Sequence, residues 1–284
     1  MAQSSPAVPH QGGAAASAGP SVVGRTVIVT GGSRGLGRAM VLGLARAGAR
    51  VAIVARGSSG PLDHTLAQLD SLGARSQVIT ALGDLCEPSA CERIAADVAA
   101  AFGKVDVLVN NAAVPNIGPG APFWQMDVEE WRRIAHTNTD AVFLMTRAVT
   151  PMMIAQGFGK IVNVSTNHRT MVRKHTSPYG PSKAFVEACS RIWAQELAGT
   201  GVTLNVLLPG GAVDTVADVT GVATPGRNLL PASVMVPPLL WLVSDESNAH
   251  SGERFVASFW DESLPLKARI ETARQSGAEE PRIM

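Results

Sequence analysis

Seven short runs of mostly β-branched residues recur along the chain, and they limit its possible folds more than any other feature. Each run is continuously apolar, which is typical of strands covered on both faces, as in a parallel sheet. Longer segments rich in Ala and Leu lie between the runs and have helical character. The runs cover residues 26–30, 50–55, 76–82, 105–110, 160–165, 202–208 and 254–258, and the helical segments cover 35–48, 88–102, 124–155 and 178–199.

This alternation predicts an α/β fold: a Rossmann-like, doubly wound parallel sheet of about seven strands with helices on both faces. The 284 residues, 46% of them hydrophobic, are enough for one large domain, which we expect over residues 21–262. Residues 1–20 are rich in Ala, Ser, Gly and Pro and are expected to be disordered. Residues 263–284 are expected to form a polar C-terminal tail, with a short helix in 263–275 and a frayed end.

Composition argues against several classes of partner and location. The formal net charge is +1, so no global field attracts nucleic acid or an anionic membrane. The first 20 residues contain no Lys or Arg, unlike a signal peptide, and no window reaches the roughly 18 apolar residues of a membrane span. The three cysteines, Cys86, Cys91 and Cys189, match neither a disulfide framework nor a zinc motif. We therefore predict a cytoplasmic protein without a metal site.

A glycine-rich turn follows the first predicted strand. Thr30, Gly31, Gly35 and Gly37 form the pattern T-G-x-x-x-G-x-G between that strand and the first helix. Glycines let the backbone turn sharply and approach a pyrophosphate without interference from Cβ atoms. The helix that begins there presents free N–H groups to the phosphates. Because the turn opens a strand–helix–strand unit, it predicts a dinucleotide site.

The end of the second strand indicates which dinucleotide is bound. NAD-binding sheets usually carry an acid there, whereas this chain has Ala55 and then Arg56. Arg34 lies inside the glycine-rich turn, and two guanidinium groups suit the 2′-phosphate of NADP. We therefore favour NADP(H) over NAD(H); the alternative is that both arginines are ordinary solvated charges.

Tyr179, the only tyrosine in the chain, lies four residues before Lys183 on a predicted helix, so the two share a face. An ammonium group and an oxidised nicotinamide nearby would favour the phenolate and lower the pKa of the phenol from its usual value near 10. Tyr179 is thus a candidate general acid and base that exchanges a proton with an alcohol or ketone oxygen.

Taken together, these motifs resemble the short-chain dehydrogenase/reductase family over about residues 24–258. The resemblance implies an NAD(P)-dependent alcohol dehydrogenase or carbonyl reductase, which interconverts a secondary alcohol and a ketone by hydride transfer. It also implies a homotetramer or homodimer, with an interface formed by the helices around 124–155 and 178–198. The motifs are TGGSRGLG (30–37), GDL (83–85), NNAA (110–113), HTNTDAVF (136–143), IVNVST (161–166), YGPSK (179–183) and LNVLLPGG (204–211).

The resemblance also implies a role for each matching residue. Asp84 would bond the adenine amino group, and Asn110 and its neighbours would line the adenosine ribose. Lys183 would hold the nicotinamide ribose, and Asn138 would hold a water that links Lys183 to solvent. Pro209 and Gly210 would shape the nicotinamide pocket, with Val213 or Thr215 contacting its amide or the phosphates. The implied cofactor-binding set is Gly31, Ser33, Arg34, Gly35, Leu36, Gly37, Arg56, Asp84, Leu85, Asn110, Ala112, Tyr179, Lys183, Pro209, Gly210, Val213 and Thr215.

The chain departs from the family pattern at the catalytic serine. Thirteen residues before Tyr179, where the family has this serine, stands Thr166, and Ser165 is one position off. A threonine hydroxyl can donate the same hydrogen bond to the substrate oxygen. Ser165 is the poorer candidate because successive side chains of a strand point to opposite faces. We predict a catalytic set of Asn138, Thr166, Tyr179 and Lys183. Milder departures are Ala113, where the family commonly has Gly, and the ending ASFWDES in place of Asp-Gly-Gly.

The substrate stays open at this stage. The basic loop, residues 167–177, carries His168, Arg169, Arg173, Lys174 and His175, which fits either an anionic small-molecule substrate or a solvated or interfacial loop. The segment between Thr215 and Pro231 is predicted to be a short lid. Three functions are compatible with these features: a carbonyl reductase or alcohol dehydrogenase, a 3-oxoacyl-thioester reductase, and a nucleotide-sensing protein of weak catalytic activity.

Overall fold

The seven predicted runs form one parallel sheet in the computed structural model, which describes residues 21–115, 122–215 and 229–275. The order of its strands is β3-β2-β1-β4-β5-β6-β9. This confirms the predicted Rossmann-like fold class. The strands are β1 (Thr26–Thr30), β2 (Arg50–Ala55), β3 (Val78–Leu82), β4 (Val107–Asn110), β5 (Gly159–Val164), β6 (Val202–Leu208) and β9 (Arg254–Val256), and a separate short parallel pair is β7 (Val213–Asp214) with β8 (Leu230–Pro231).

Eight α-helices are described, and they cover both faces of the sheet. Two clusters of buried apolar side chains, one on each face, hold the helices to the strands. Every residue of β1 and of β5 is buried, which explains why neither strand alternates between apolar and polar residues. The helices are α1 (Gly35–Arg46), α2 (Gly60–Ser71), α3 (Pro88–Phe102), α4 (Val128–Gln156), α5 (His168–Met171), α6 (Tyr179–Glu196), α7 (Val236–Leu242) and α8 (Leu266–Ala273).

The strand order reverses between β1 and β4, which both lie at the centre of the sheet. In an open α/β sheet such a reversal leaves a crevice at the carboxyl ends of the strands, where ligands bind. The residues that directly follow β1 and β4 therefore border this crevice.

Several element boundaries differ from the prediction. The strand expected from residue 76 begins at Val78, because Arg75–Gln77 form a 3₁₀ turn. The helix expected from residue 124 begins at Val128, after a 3₁₀ turn at Phe123–Gln125 and a cap in which the Asp127 side chain accepts from the Glu130 N–H.

The described C-terminal residues pack on the domain. Helix α8 buries Ala273 completely, and Arg274 forms an antiparallel bridge with Phe255 of β9. The Gln275 N–H also donates to the Arg254 carbonyl at 2.9 Å, so residues up to Gln275 contact β9. The expected disordered segment 1–20 and the frayed end 276–284 lie outside the described residues. Within the described ranges, no helix is both long and apolar enough to cross a membrane.

Candidate active site

The glycine-rich turn after β1 is attached tightly to the end of β4. Thr30 Oγ1 accepts hydrogen bonds from the N–H groups of Asn111 (2.9 Å) and Ala112 (3.0 Å). The Asn111 side chain donates back to the carbonyls of Thr30 (2.9 Å) and Gly31 (3.2 Å). These four bonds fix the crevice between the two central strands.

The turn leaves no room for side chains at its glycines. A Cβ on Gly37 would lie 2.1 Å from the Gly31 carbonyl oxygen, and Gly31 itself has φ of +64°. Helix α1 begins here with no side-chain cap and no acidic residue in its first turn. A tight glycine turn at a helix start without a side-chain cap leaves backbone N–H groups for a bound phosphate, as a pyrophosphate requires. The residues present therefore fit a dinucleotide.

The side chains of Tyr179 and Thr166 lie close together, so that the Thr166 hydroxyl lowers the pKa of the Tyr179 phenol. Tyr179 is the first residue of α6, and Thr166 lies two residues beyond the end of β5. Burial raises the pKa of Tyr179 above its ordinary value, and the Thr166 hydroxyl opposes this rise. The predicted lowering of this pKa depends on Lys183 together with an oxidised nicotinamide; within the protein alone, loss of water around the phenolate is the larger effect.

Lys183 lies one turn further along α6 and is only 2% exposed. Its ammonium group donates to the Val164 carbonyl at 2.9 Å. Burial lowers its pKa to about 8, against the opposing effect of the Glu187 carboxylate. Lys183 is thus a buried ammonium group that loses its proton near pH 8 rather than above pH 10.

Asn138 is completely buried within α4, so it is not the surface asparagine that its polarity alone would indicate. Its Oδ1 accepts from the Val114 N–H (2.7 Å), while its Nδ2 donates to the Val114 carbonyl (3.0 Å) and Ser182 Oγ (3.1 Å). The side chain therefore connects the segment after β4 to the first turn of α6.

Ser165 points away from Tyr179. It is 3% exposed, and its hydroxyl donates to Glu187 Oε1 at 2.6 Å. Of the two neighbouring hydroxyls, Thr166 is the one beside the phenol.

Comparison with known proteins identifies the family. A family model for short chain dehydrogenases matches residues 25–222. The L-rhamnose 1-dehydrogenase (NAD(P)(+)) of Sphingomonas sp. is 36% identical over 66% of this chain and 72% of its own length. The 3-oxoacyl-[acyl-carrier-protein] reductase of Escherichia coli is 34% identical over 66% of this chain and 73% of its own.

This chain belongs to the short-chain dehydrogenase family. The fold agrees with this assignment. A Beutenbergia cavernae structure, designated an NAD(P)-dependent gluconate 5-dehydrogenase with bound NADP at low occupancy, superimposes with a TM-score of 0.72. It is 30% identical to this chain, and the match covers 84% of this chain and 97% of the other.

In this short-chain dehydrogenase the residues expected at the adenine end lie after β1, β2 and β3. Arg34 and Arg56 are exposed, and neither side chain pairs with another described residue. Asp84 is also exposed and accepts from the Cys86 N–H at 2.9 Å, whereas the Leu85 side chain is buried in the core. The Ser33 carbonyl accepts from Thr65 Oγ1 at 2.9 Å, which ties the turn to α2.

Asn110 differs from its expected role. Its side chain does not face the crevice but donates to Thr146 Oγ1 (3.0 Å) and Asn163 Oδ1 (2.9 Å) in a buried polar network. A buried amide must find such partners, because leaving it unpaired is costly. Asn111 and Ala112, rather than the Asn110 side chain, border the glycine-rich turn.

The residues expected at the nicotinamide end follow β6. Gly210 has φ of +92°, and a Cβ there would lie 2.1 Å from Ser258 Oγ. Thr215 approaches the glycine-rich turn, with its Cγ2 3.2 Å from the position of a Cβ on Gly35. Pro209 is buried and Val213 belongs to β7, while most of the predicted lid, residues 216–228, lies outside the described residues.

Sequence reasoning named Thr30 only as part of the glycine-rich pattern and Asn111 only as a neighbour of Asn110. It did not predict Glu187 or Arg254 as residues that shape the site. Glu187 and Arg254 belong to α6 and β9, and no local pattern links them. Over the described residues, no group of three or more His, Cys, Asp or Glu is placed to hold a metal ion.

Proposed function

We propose that this protein is an NADP(H)-dependent oxidoreductase that interconverts a secondary alcohol and a ketone. The observation that carries this proposal is the grouping of Tyr179, Thr166 and Lys183: the Thr166 hydroxyl lies beside the phenol, and the buried Lys183, one helical turn from Tyr179, is bonded to the Val164 carbonyl. A proton donor, a second hydroxyl donor and a cation thus converge at the carboxyl edge of the sheet.

In the proposed mechanism the Thr166 hydroxyl donates a hydrogen bond to the substrate oxygen and orients it toward Tyr179. Tyr179 gives its proton to that oxygen during reduction and takes it back during oxidation. Its raised pKa keeps the phenol protonated at neutral pH, which favours the role of acid. A bound nicotinamide would supply or accept the hydride. Lys183 favours the phenolate when oxidation removes the proton.

NADP(H) is the proposed cofactor because of charge at the adenine end. The exposed Arg34 and Arg56 flank the place where an acid would otherwise select NAD. Gly31, Gly35 and Gly37 would hold the pyrophosphate, and Lys183 the nicotinamide ribose. The Beutenbergia cavernae structure, which contains NADP, supports this choice without deciding it.

Titration and turnover with NADPH and NADH test the proposal. We expect tighter binding of NADPH, and a double Arg34→Ala/Arg56→Ala variant that loses about tenfold or more of this preference. Tyr179→Phe should bind NADPH normally while turnover falls by about 10²–10⁴-fold. A preference for NADH, or full turnover by the phenylalanine variant, would contradict the assignment.

We propose further that the substrate is anionic. From residue 141 to residue 186 the chain contains no Asp or Glu, although this stretch includes the basic loop and Tyr179. Arg169, Arg173 and Lys174 are exposed, and their side chains pair with no other described residue. Positive charge without counter-charge beside an active site attracts an anion.

The basic loop is held rigidly beside Tyr179. Thr176 Oγ1 donates to the carbonyls of Thr170 (2.9 Å) and Arg173 (2.6 Å), which closes the loop on itself. A Cβ on Gly180 would lie 2.3 Å from the Met171 carbonyl oxygen, so the loop rests on the first turn of α6. Arg169 and Arg173 are each two residues from Met171, a span of at most about 7 Å of chain.

Three candidate substrates, suggested by the names of the similar proteins, separate the remaining possible functions. They are gluconate, L-rhamnose and a 3-oxoacyl thioester. We expect turnover of gluconate or the thioester, with kcat/KM reduced about tenfold or more in Arg169→Ala/Arg173→Ala. Lys267→Ala, which removes an exposed cation on α8, is the control. Preference for neutral L-rhamnose, unchanged in the double variant, would exclude an anionic substrate. Binding of NADPH without turnover of any candidate substrate would favour a nucleotide sensor.

The outer faces of α4 and α6 also support the proposed dimer or tetramer. Phe143, Phe185 and Ile192 are exposed by 47%, 47% and 53%, an unusual apolar content for a free surface. We propose that a second copy of the chain covers these faces. Sedimentation equilibrium should give a molecular mass at least twice that of one chain. Phe185→Glu should shift this mass toward that of a single chain.

A further inference from the structure

The backbone that carries Ser165 and Thr166 is fixed by an ion pair from two other elements. Glu187 lies on α6, one turn beyond Lys183 and two turns beyond Tyr179. Arg254 Nε, on β9, donates to both of its carboxylate oxygens at 3.0 Å. The two side chains are only 22% and 18% exposed. Partial burial keeps this pair from the screening that weakens surface ion pairs.

Each partner also holds one of the two neighbouring residues after β5. Glu187 Oε1 accepts from the Ser165 hydroxyl at 2.6 Å, and Arg254 Nη2 donates to the Thr166 carbonyl at 2.9 Å. The four groups form a closed ring through β5, α6 and β9. Because charge-assisted hydrogen bonds are the stronger ones, this ring fixes the peptide unit between Ser165 and Thr166.

The geometry points to Glu187 and Arg254 as positioning residues that keep the Ser165 hydroxyl out of the crevice and turn the Thr166 hydroxyl toward Tyr179. This inference rests on the proposed function, in which Thr166 contacts the substrate oxygen. It explains why, of the adjacent hydroxyls of Ser165 and Thr166, only that of Thr166 is directed toward Tyr179. We call the four residues the positioning ring.

The single tyrosine of the chain makes the inference testable without a substrate. A sample labelled at the tyrosine ring carbon gives one NMR signal, from which the pKa of Tyr179 can be followed. Loss of the Thr166 hydroxyl should raise that pKa, since this hydroxyl lowers it. Thr166→Ala provides the reference for complete loss.

Glu187→Ala removes both contacts of the carboxylate, and we expect the pKa of Tyr179 to rise toward the value in Thr166→Ala. The loss of a nearby negative charge alone would shift it the opposite way. Glu187→Gln keeps an acceptor oxygen for Ser165 and Arg254 and should stay closer to wild type. Arg147→Ala breaks the exposed 3.0 Å pair between Arg147 and Glu92 and serves as the matched control.

Steady-state kinetics with the best of the three candidate substrates give a second test of the inference. Arg254→Ala should lower kcat by about tenfold to a hundredfold, with the Kd for NADPH unchanged, because the hydroxyl is misplaced rather than removed. Arg254→Lys should recover part of this loss. Thermal unfolding of each variant shows whether it is folded. If Arg254→Ala does not fold, the NMR titration of Glu187→Ala still tests the inference.

The possible failures are distinguishable. If Thr166→Ala shifts the pKa of Tyr179 but folded Glu187→Ala does not, the positioning ring has no such role and the proposed function stands. If Thr166→Ala itself changes neither the pKa nor turnover, the proposed catalytic contact is wrong. A fall in activity that only follows the loss of folded protein would likewise overturn the inference.

Discussion

At the scale of single residues, the decisive feature is the different surroundings of Ser165 and Thr166. Their hydroxyls are one position apart in sequence, yet the Ser165 hydroxyl is bonded to Glu187, whereas the Thr166 hydroxyl lies beside the phenol of Tyr179 and lowers its pKa. The extra methyl group of threonine limits its side-chain rotamers, which helps to fix the direction of the hydroxyl. We therefore propose that Thr166 takes the place of the serine that the family resemblance implies at this position.

We predict that Thr166→Ala lowers kcat by about 10²-fold or more, the usual effect of removing one donor to a reacting oxygen. Thr166→Ser keeps the hydroxyl and should retain most of the activity. Ser165→Ala should have a smaller effect than Thr166→Ala, because its hydroxyl does not face the phenol. Steady-state kinetics of the three variants test this order, and a larger loss for Ser165→Ala would reverse our assignment.

At the scale of secondary-structure elements, the sequence predicted the bounds of several elements residue for residue. Strands β1, β2 and β6 begin and end where their apolar runs do, and α3 occupies the predicted residues. Helix α2 was not predicted, because it buries only Leu62, Thr65 and Leu69 and so shows little periodicity. Helix α7 was missed since Pro237 and Pro238 mask a short helical segment.

The same distinction applies to the site. Motifs confined to one turn, such as residues 30–37 and 179–183, could be found because all their residues are neighbours in sequence. The positioning ring joins Ser165, Glu187 and Arg254 from three elements, so its contacts exist only after the sheet has formed. Asn110 shows the converse: its motif was recognisable, but tertiary packing directed its side chain into the buried network.

The glycine-rich turn gives a prediction at this scale. A Cβ at Gly37 would lie 2.1 Å from the Gly31 carbonyl oxygen, so Gly37→Ala must displace the turn from the end of β4. We expect a loss of about 1–3 kcal/mol in the free energy of unfolding, together with weaker binding of NADPH. Gly60→Ala is the matched control, since nothing lies within 4 Å of a Cβ there. Equal effects in the two variants would show that the close approach does not matter.

At the scale of the whole molecule, the stability should depend on a buried lysine far from the crevice. Lys160, near the start of β5, is 1% exposed, and its Nζ donates to Ser247 Oγ at 3.1 Å. Burial lowers its pKa to about 8; Asp245 opposes this effect and Arg25 adds to it. The folded protein therefore gives up this proton more easily than the unfolded chain, where a lysine has a pKa near 10.4.

This difference determines the sign of the pH dependence. Between about pH 8 and 10 the unfolded chain binds more protons, so the free energy of unfolding should rise with pH. Lys160 and Lys183 both have pKa values lowered to about 8, and each adds a slope of up to about 1.4 kcal/mol per pH unit. Below pH 8 the burial penalty of the charged amines is fully present.

We therefore predict that Lys160→Met raises stability at pH 7 and reduces the slope between pH 8 and 10 by about half. Ser247 keeps partners in this variant, because its hydroxyl also bonds the carbonyls of Leu242 (2.8 Å) and Ser244 (3.1 Å). Urea unfolding at several pH values measures the slope, with the exposed Lys267→Met as control. Turnover should be unaffected, since Lys160 lies at the amino end of β5, whereas Thr166 and Tyr179 lie beyond the carboxyl end of that strand. A slope equal to that of the wild type would mean that Lys160 keeps an ordinary pKa in the folded protein.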